Sequence, residues 1–405
     1  MFNPSAHPPR RLALDIAKLL CVAAVLAGCG GGGSDSSSSG TANTATTFSA
    51  GPITGFGSVI VNGVRFDDSA ARISDDDDAT RGSSDLKLGM MAEIEAADVR
   101  ADSLGASHGR ALAIRFGSEI VGPVSAIDTT AKTLTIIGQI VDVTDNTVFD
   151  DRLVGGLSGI KSGAVVEVHA VLNASTGHYS ATRIEPKPNA PFFKVRGVVA
   201  SLDIKAKTFK IGDATISYAA LIPADVPAAL ADGLLVRVKL QTTQVAGVWV
   251  ATRLSTGLRK IENHDEAEVH GTITAFTSAT QFSVNGIAVD ATNAVFLPSK
   301  VGVVLGARVE VEGKAVDGII VATKVSLEDE LEVHVRGLEL HGSISALDAT
   351  AKTFVLRGVT VSFADVKEYK GGTQADLKND RQVEVKGMLG ADGKTLAAVR
   401  IEFDK

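Results

Sequence analysis

Hydrophobic and polar residues alternate along most of the chain, in short stretches separated by glycine. The segment Val309-Glu310-Val311-Glu312 is typical, and Val166-Glu167-Val168-His169 and Val383-Glu384-Val385-Lys386 share its pattern. A period of two places the valines on one face of a strand and the charged side chains on the other. The pattern therefore predicts an all-β body built from half-buried strands.

The strands recur in a fixed order, and one opening phrase marks each recurrence. The phrase begins with glycine, and successive copies start 71, 75, 74 and 71 residues apart. The five starting residues are Gly51, Gly122, Gly197, Gly271 and Gly342. Each phrase leads into a hairpin with glycine at its tip, such as Val61-Asn62-Gly63-Val64, where Asn-Gly suits a type I′ turn. A variable connection and two further strands complete each copy.

Five strands with a variable connection after the third match a small Greek-key barrel of the OB type. The fold prediction is all-β: a tandem array of about five small OB-like Greek-key β-barrels after a disordered lipoprotein leader and linker. The alternative is a solenoid of five stacked open meanders. The predicted segments are a signal peptide at 1–28, a lipidated linker at 29–48 and repeats at 49–120, 121–194, 195–267, 268–338 and 339–405.

Two further expectations concern packing and local structure. A unit of roughly 70 residues is marginally stable alone, so neighbouring units are expected to pack end to end. In the third copy, residues 227–233 are predicted to form one helical turn that ends at Gly233.

The start of the chain has the features of a bacterial export signal. Arg10 and Arg11 precede an apolar run at residues 19–28, which at about ten residues is too short to span a bilayer. The run ends in Leu26-Ala27-Gly28-Cys29, which resembles the lipobox of bacterial lipoproteins. The resemblance implies that the cysteine is lipidated and anchors the protein in a membrane.

The residues after this motif agree with an anchored protein. A Gly/Ser-rich tract at residues 30–40 is typical of a flexible tether. Gly30, where some lipoproteins carry Asp, implies sorting to the outer membrane by the same resemblance. The expected location is therefore the cell envelope, with the body facing the periplasm or the cell surface.

Composition narrows the choice of partners. The chain has 40 basic and 47 acidic side chains, a formal net charge of −7 at pH 7. An acidic protein repels phosphate backbones, so nucleic-acid binding is not expected. Of the two cysteines, Cys21 lies in the leader. The single remaining Cys29 excludes an internal disulfide and a cysteine-based zinc site.

Two clusters of side chains are weak candidates for metal binding. Asp75, Asp76, Asp77 and Asp78 form an acidic run in the first variable connection. Hard oxygen ligands suit Ca²⁺, but the EF-hand spacing is missing, so a solvated loop is the competing interpretation.

The second candidate involves histidine. Glu-Val-His occurs at residues 167–169, 268–270 and 332–334, and these are not equivalent positions in the repeat. His264 and His270 could share one strand face beside several carboxylates and ligate zinc. The alternative is an exposed polar junction between repeats, and no metal or other cofactor is expected.

The phrase Gly55-Phe56-Gly57-Ser58, continued by Val61-Asn62-Gly63-Val64, resembles the signature of a bacterial lipoprotein family. That family has repeated β domains of unknown function. The match is close in the first repeat and looser in the other four, which lack Gly-Phe-Gly-Ser at this point. The resemblance implies an envelope location and small barrels, and it implies no activity, substrate or catalytic residue.

None of the common catalytic motifs is present, neither a Gly-x-Ser-x-Gly elbow, nor a phosphate-binding loop, nor a His-Glu-x-x-His pair. No catalytic residue is therefore predicted. The leading hypothesis is a non-enzymatic envelope lipoprotein whose loops contact an envelope protein or glycan. The alternative is a periplasmic small-ligand-binding protein or enzyme that uses one divergent repeat, the first or the third.

Overall fold

The computed structural model describes residues 46–101, 106–257, 261–328 and 337–404. Within these ranges the protein is all-β, with thirty strands and short 3₁₀ turns. The strands form five small barrels, numbered 1 to 5 along the chain. In the same ranges, no helix has the length and hydrophobicity needed to cross a bilayer.

The first two barrels account for twelve strands. Barrel 1 comprises β1 (Thr46–Phe56), β2 (Val59–Val61), β3 (Val64–Asp67), β4 (Arg72–Asp75), β5 (Thr80–Arg81), β6 (Met91–Ala101) and β7 (Ser107–Gly117). Barrel 2 comprises β8 (Ile120–Asp128), β9 (Thr133–Ile136), β10 (Gln139–Phe149), β11 (Val165–Asn173) and β12 (His178–Pro186).

The other three barrels have six strands each. Barrel 3 comprises β13 (Phe193–Val198), β14 (Ala200–Asp203), β15 (Thr208–Ile211), β16 (Ala214–Ser217), β17 (Leu235–Leu240) and β18 (Trp249–Thr256). Barrel 4 comprises β19 (His264–Ser278), β20 (Gln281–Val284), β21 (Ile287–Asp290), β22 (Val295–Leu297), β23 (Arg308–Val316) and β24 (Ile319–Leu327). Barrel 5 comprises β25 (Leu338–Asp348), β26 (Thr353–Leu356), β27 (Val359–Ser362), β28 (Glu368–Lys370), β29 (Gln382–Leu389) and β30 (Leu396–Phe403).

Each barrel closes in the same way, as barrel 4 illustrates. The long strand β19 pairs antiparallel with β20 at one end and with β23 at the other. Strand β21 then pairs parallel with β24, where Ala288 lies opposite Ile319. This closure is that of a five-stranded Greek-key OB barrel. The fold-class prediction is confirmed. The open-meander solenoid is wrong, because the parallel pairing of β21 with β24 closes the strands into a barrel, whereas a meander stays open.

The alternation seen in the sequence becomes the inside and outside of each barrel. In barrel 4, Val269, Val309 and Val311 are fully buried in the interior. The hairpin tips also match the sequence pattern. Asn62 and Asn285 have positive φ of 53° and 49°, as a type I′ turn requires.

The variable connections of barrels 1, 2, 3 and 5 carry short 3₁₀ turns, and a helical turn was expected in that of barrel 3. In barrel 3 the turn spans Pro223–Asp225, whereas residues 227–233 form non-helical turns. The predicted helical turn is therefore misplaced. Pro227 disfavours helical backbone at the residue before it and lacks an N–H, so the helical hydrogen bonds end at Val226.

First strands of different barrels pair with one another. Strand β1 runs parallel to β19 over residues 47–50 and to β25 at Gly55 and Phe56. Both contacts use backbone edges that barrel 1 leaves open, since β2 pairs only with the second half of β1 and β6 only with the first. A side chain at Gly55 would collide with the Glu339 carbonyl, so this approach requires glycine.

Barrel 1 consequently contacts barrels that are distant in the chain. It also receives a hydrogen bond from Arg183 of barrel 2 at the Leu88 carbonyl, 3.4 Å away, and an ion pair from Lys194 of barrel 3 to Asp76, 3.0 Å. Neighbours meet as well, since β8 pairs antiparallel with β13. The expectation that neighbouring units pack end to end is wrong. The open strand edge of barrel 1 pairs with strands of barrels 4 and 5, which are not its neighbours in the chain.

Candidate functional site

The outer face of barrel 4 carries a cluster of one histidine and four carboxylates. Glu268 and His270 alternate with buried Val269 on β19, so both point outward. Across the strand pair, Glu310 lies opposite His270 and Glu312 lies opposite Glu268. The same alternation that fills the barrel thus assembles a compact polar patch on its surface.

His270 is the centre of this patch. Its Nδ1 donates to Glu328 Oε1 at 2.7 Å, and its Nε2 donates to Glu268 Oε1 at 2.7 Å. The side chain is only 6% exposed. Glu310 Oε1 lies 4.0 Å from Nε2, and Arg308 binds the second oxygen of Glu328 at 3.2 Å.

The surrounding charges determine the protonation of this group. Burial alone would lower the pKa of His270, but hydrogen bonds to Glu268 and Glu328 outweigh it and raise that pKa to about 9. Burial would raise the pKa of Glu328, yet His270 and Arg308 hold it at about 2. The histidine is therefore a cation at neutral pH, held between two carboxylates.

The patch also has the donor set of a metal site. One ligand atom each from Glu268, His270 and Glu310 lie within 4.8 Å of one another, the one such group among the residues that the structure describes. Lys324 borders it, 2.6 Å from Glu312 and 3.9 Å from Glu310.

The predicted pairing of His264 with His270 is wrong. His264 begins β19 and packs against Phe48 of barrel 1, with ring centroids 5.7 Å apart. It is buried, and its two ring nitrogens have no hydrogen-bond partner within the described ranges. The register of β19 shifts between His264 and Ala267, and such an irregularity breaks the alternation that placed the two histidines on one face. The alternative of an exposed junction is also wrong, since both side chains are buried.

Barrel 5 contains an equivalent patch that sequence reasoning missed. Glu339 and His341 occupy the positions of Glu268 and His270, and Glu384 lies opposite His341. The triplet reads Glu-Leu-His, so a search for Glu-Val-His did not find it. The position in the repeat would have identified His341, because His270 and His341 each directly precede the opening glycine of their repeats. The third Glu-Val-His, at 332–334, lies outside the described residues.

The barrel 5 patch binds a cation from another barrel. Arg65 of β3 contacts both Glu339 and Glu384, the latter at 3.0 Å. Lys386 pairs with Glu339 at 2.9 Å, and the His341 ring binds Asp404 at 2.9 Å.

The acidic run of barrel 1 faces protein cations. Each of its carboxylates pairs with lysine or arginine: Asp75 with Arg81, Asp76 with Lys194 and Arg237, Asp77 with Arg237 and Lys239, and Asp78 with Arg115. Three of these cations belong to barrel 3, and Asp76 and Asp77 are largely buried against it. Asp76 and Asp77 therefore form a contact between barrels, whereas the side chain of Asp78 is 82% exposed, as expected for a solvated loop.

A small cavity lies where barrels 1 to 4 meet. Buried Arg196 lines it, pairs with buried Glu119 at 3.1 Å and donates to the Gly257 carbonyl at 2.7 Å. The cavity volume is about 20 Å³, enough for a single water molecule. A drug-sized ligand needs hundreds of cubic ångströms, about 300 or more.

The remaining sequence candidates lie beyond the described ranges. Leu26, Ala27, Gly28 and Cys29 precede residue 46, where the description begins. The lipidation site and its recognition motif therefore stay predictions.

Comparison with known proteins supports the repeated β domain and assigns no activity to it. Residues 121–185, 270–326 and 341–402 each match a family model described as a domain of unknown function, DUF5666. These segments fall on barrels 2, 4 and 5 and exclude the Gly-Phe-Gly-Ser stretch of barrel 1, so the signature resemblance stays a prediction. The chain thus matches this domain model three times.

Other comparisons are sparse. No curated protein matches the chain. One solved structure similar to it is Drosophila Unr CSD456, at 15% identity and a TM-score of 0.17, with 52% of this chain and 96% of that chain covered.

Proposed function

We propose that this protein is a membrane-anchored envelope lipoprotein whose five-barrel body serves as a non-catalytic binding scaffold. The partner would be a protein or glycan of the envelope. The anchor is inferred from the sequence Leu26-Ala27-Gly28-Cys29 after an apolar run. One buried acyl chain gives marginal binding, so a multiply acylated Cys29 would supply stable attachment.

The observation that carries the scaffold proposal is the uneven exposure of apolar side chains. Nine of the sixteen strongly exposed large hydrophobic side chains in the described ranges belong to barrel 4. Five of them lie in its variable connection, namely Val295, Leu297, Val301, Val304 and Leu305. Val301 is 83% exposed. Exposed apolar clusters mark contact surfaces, and this one lies in the connection where the sequence varies between repeats.

The buried parts of the body fit the same role. The barrel interiors are filled with aliphatic and aromatic side chains, and barrel 1 ties the others together through strand pairing and ion pairs. A body of this kind presents its loops at set positions. The proposed contact surface is the variable connection of barrel 4.

The anchor is tested by replacing the cysteine. We expect Cys29→Ser to abolish incorporation of labelled fatty acid and to move the protein from the membrane to the soluble fraction. The matched control is Cys21→Ser, which changes the other cysteine and should leave both readouts as in the wild type. Membrane partitioning of the Cys29→Ser protein would contradict the anchor.

The contact surface is tested by crosslinking in cells. A photoreactive amino acid at position 301 should capture one reproducible partner, identified by mass spectrometry. The same probe at Ile204, which is 76% exposed on barrel 3, is the control and should capture nothing reproducible. Equal capture at both positions would contradict the surface, and a co-purifying small metabolite without a crosslink would favour the ligand-binding alternative.

A further inference from the structure

We propose that barrel 4 binds a divalent transition-metal ion of the Zn²⁺ class. The ligands are Nε2 of His270, which releases its proton to solvent as the metal binds, and the carboxylates of Glu268 and Glu310. The site lies on the outer face of β19 and β23 and is independent of the lipid anchor.

The strand register places the three ligands together. Glu268 and His270 are two residues apart on β19, and Glu310 is directly opposite His270 on β23. From Nε2 of His270, the nearest carboxylate oxygens are 2.7 Å away on Glu268 and 4.0 Å away on Glu310. Zinc bonds of about 2.0–2.2 Å in tetrahedral geometry require ligand atoms roughly 3.3 Å apart. The two observed distances lie on either side of that value, so the three side chains are already close to the spacing of zinc ligands.

A second observation is the support behind the histidine. Nδ1 of His270 is bound to Glu328 at 2.7 Å, and Glu328 is only 4% exposed. Its other oxygen is held by Arg308. Metal-binding histidines characteristically donate their second ring N–H to a carboxylate, which fixes the ring orientation. Here the same arrangement directs Nε2 toward Glu268 and Glu310.

A third observation comes from the equivalent positions in barrel 5. There the carboxylates of Glu339 and Glu384 bind the guanidinium of Arg65. The pattern of two outward carboxylates at these register positions therefore accepts a cation supplied from outside the barrel. In barrel 4 the corresponding carboxylates lie next to an imidazole nitrogen, which is a ligand for metal ions.

The donor set selects the class of ion. One imidazole nitrogen and two carboxylates match a three-ligand zinc site with an open position. Ca²⁺ takes six to eight oxygen ligands and disfavours imidazole. Lys324 does not block the site, because it is bound more closely to Glu312 than to Glu310 and is one-third exposed.

The test is zinc binding to the full chain, prepared without a polyhistidine tag and stripped of metal with a chelator. Isothermal titration with Zn²⁺ should show one saturable site per chain. His270→Gln should abolish that site, and Glu328→Gln should weaken it by about 10–100-fold because the ring loses its orienting carboxylate. X-ray absorption of the zinc-loaded protein should show nitrogen and oxygen ligands without sulfur.

Two further variants distinguish ligation from structural damage. Glu310→Gln removes a ligand from the partly exposed side of the patch, and it should lose the zinc site with an unchanged circular dichroism spectrum. His341→Gln changes the equivalent histidine in barrel 5 and should retain one site at wild-type affinity. Wild-type binding in both His270→Gln and Glu310→Gln would overturn the proposal, as would the absence of any saturable site in the wild-type chain.

Discussion

Barrels 4 and 5 build the same patch of outer surface and neutralise it in different ways. In barrel 4 the carboxylates surround His270, which belongs to the same barrel. In barrel 5 the equivalent Glu339 and Glu384 bind Arg65, which barrel 1 supplies. The barrel fold determines where these side chains stand, whereas the adjacent barrel determines which cation reaches them.

Barrel 3 carries lysine and arginine, in place of carboxylates, on the corresponding outer face. Arg196 stands at the position of His270 and lies opposite Arg237, and Lys194 lies opposite Lys239. These cations bind carboxylates of barrels 1 and 2. The outer face of the first and penultimate barrel strands is therefore a docking surface, and complementary charges on it join particular barrels.

The largest effect is expected from Arg196→Met, which removes the buried cation from this docking surface. Arg196 pairs with Glu119 and donates to the carbonyls of Gly257 and Asn285. Breaking one half of a buried ion pair costs about 3–5 kcal/mol, because the remaining charge is left uncompensated. Urea unfolding at neutral pH should show a loss of free energy of that size.

Arg253→Met is the matched control for this change. Arg253 is exposed on the same barrel, and surface substitutions typically change stability by less than about 0.5 kcal/mol. Equal losses in the two variants would show that the buried pair does not hold barrels 2 and 3 together.

A smaller loss is expected from Arg65→Gln, which removes the cation that barrel 1 supplies to the barrel 5 patch. The three groups are each about one-fifth exposed, so the two carboxylates remain partly solvated and the loss should be about 1–3 kcal/mol. Adding Glu339→Gln to this variant should recover part of the loss, because one of the two carboxylates that then share only Lys386 is neutral. A double-mutant cycle measures the coupling, and strictly additive effects would contradict the pairing.

The smallest effect concerns His169 of barrel 2, which stands where barrel 4 has Glu312. Burial lowers the pKa of His169, which binds the Gly117 carbonyl through Nδ1. A histidine whose pKa is lower in the folded than in the unfolded protein stabilises the fold above about pH 6.5, and this contribution is lost as the pH falls. The unfolding free energy of the wild type minus that of His169→Gln should therefore decrease from pH 7.5 to 5.5, whereas the raised pKa of His270 acts in the opposite direction in both proteins and cancels in this difference. The same pH dependence in both proteins would contradict this account.

Much of the fold followed from local sequence signals. Alternation predicted the strands, Asn-Gly predicted the hairpins at Asn62 and Asn285, and the spacing of five glycine-led phrases predicted five barrels. The misplaced helical turn at residues 227–233 shows the limit of such signals, since Ala and Leu favour helix there and the chain forms only non-helical turns.

Only part of the candidate site could be predicted from the sequence. The sequence singled out His270 and its neighbouring carboxylates, but it paired His270 with His264, because alternation was extended across the irregularity in β19. Glu310 and Glu328 are 40 and 58 residues away from His270 in the chain. No periodicity within one strand could bring them to the histidine.

The sequence by itself determined the strands, the turns and the barrel repeat, because each depends on backbone preferences and alternation over a few residues. Only the tertiary structure decided which barrels meet, since that depends on the strand edges left open in β1 and on charges brought together from distant segments. The same physical reason separates barrel 4 from barrel 5. Their sequence patterns are nearly alike, and the arrival of Arg65 at only one of them is a property of the assembled body.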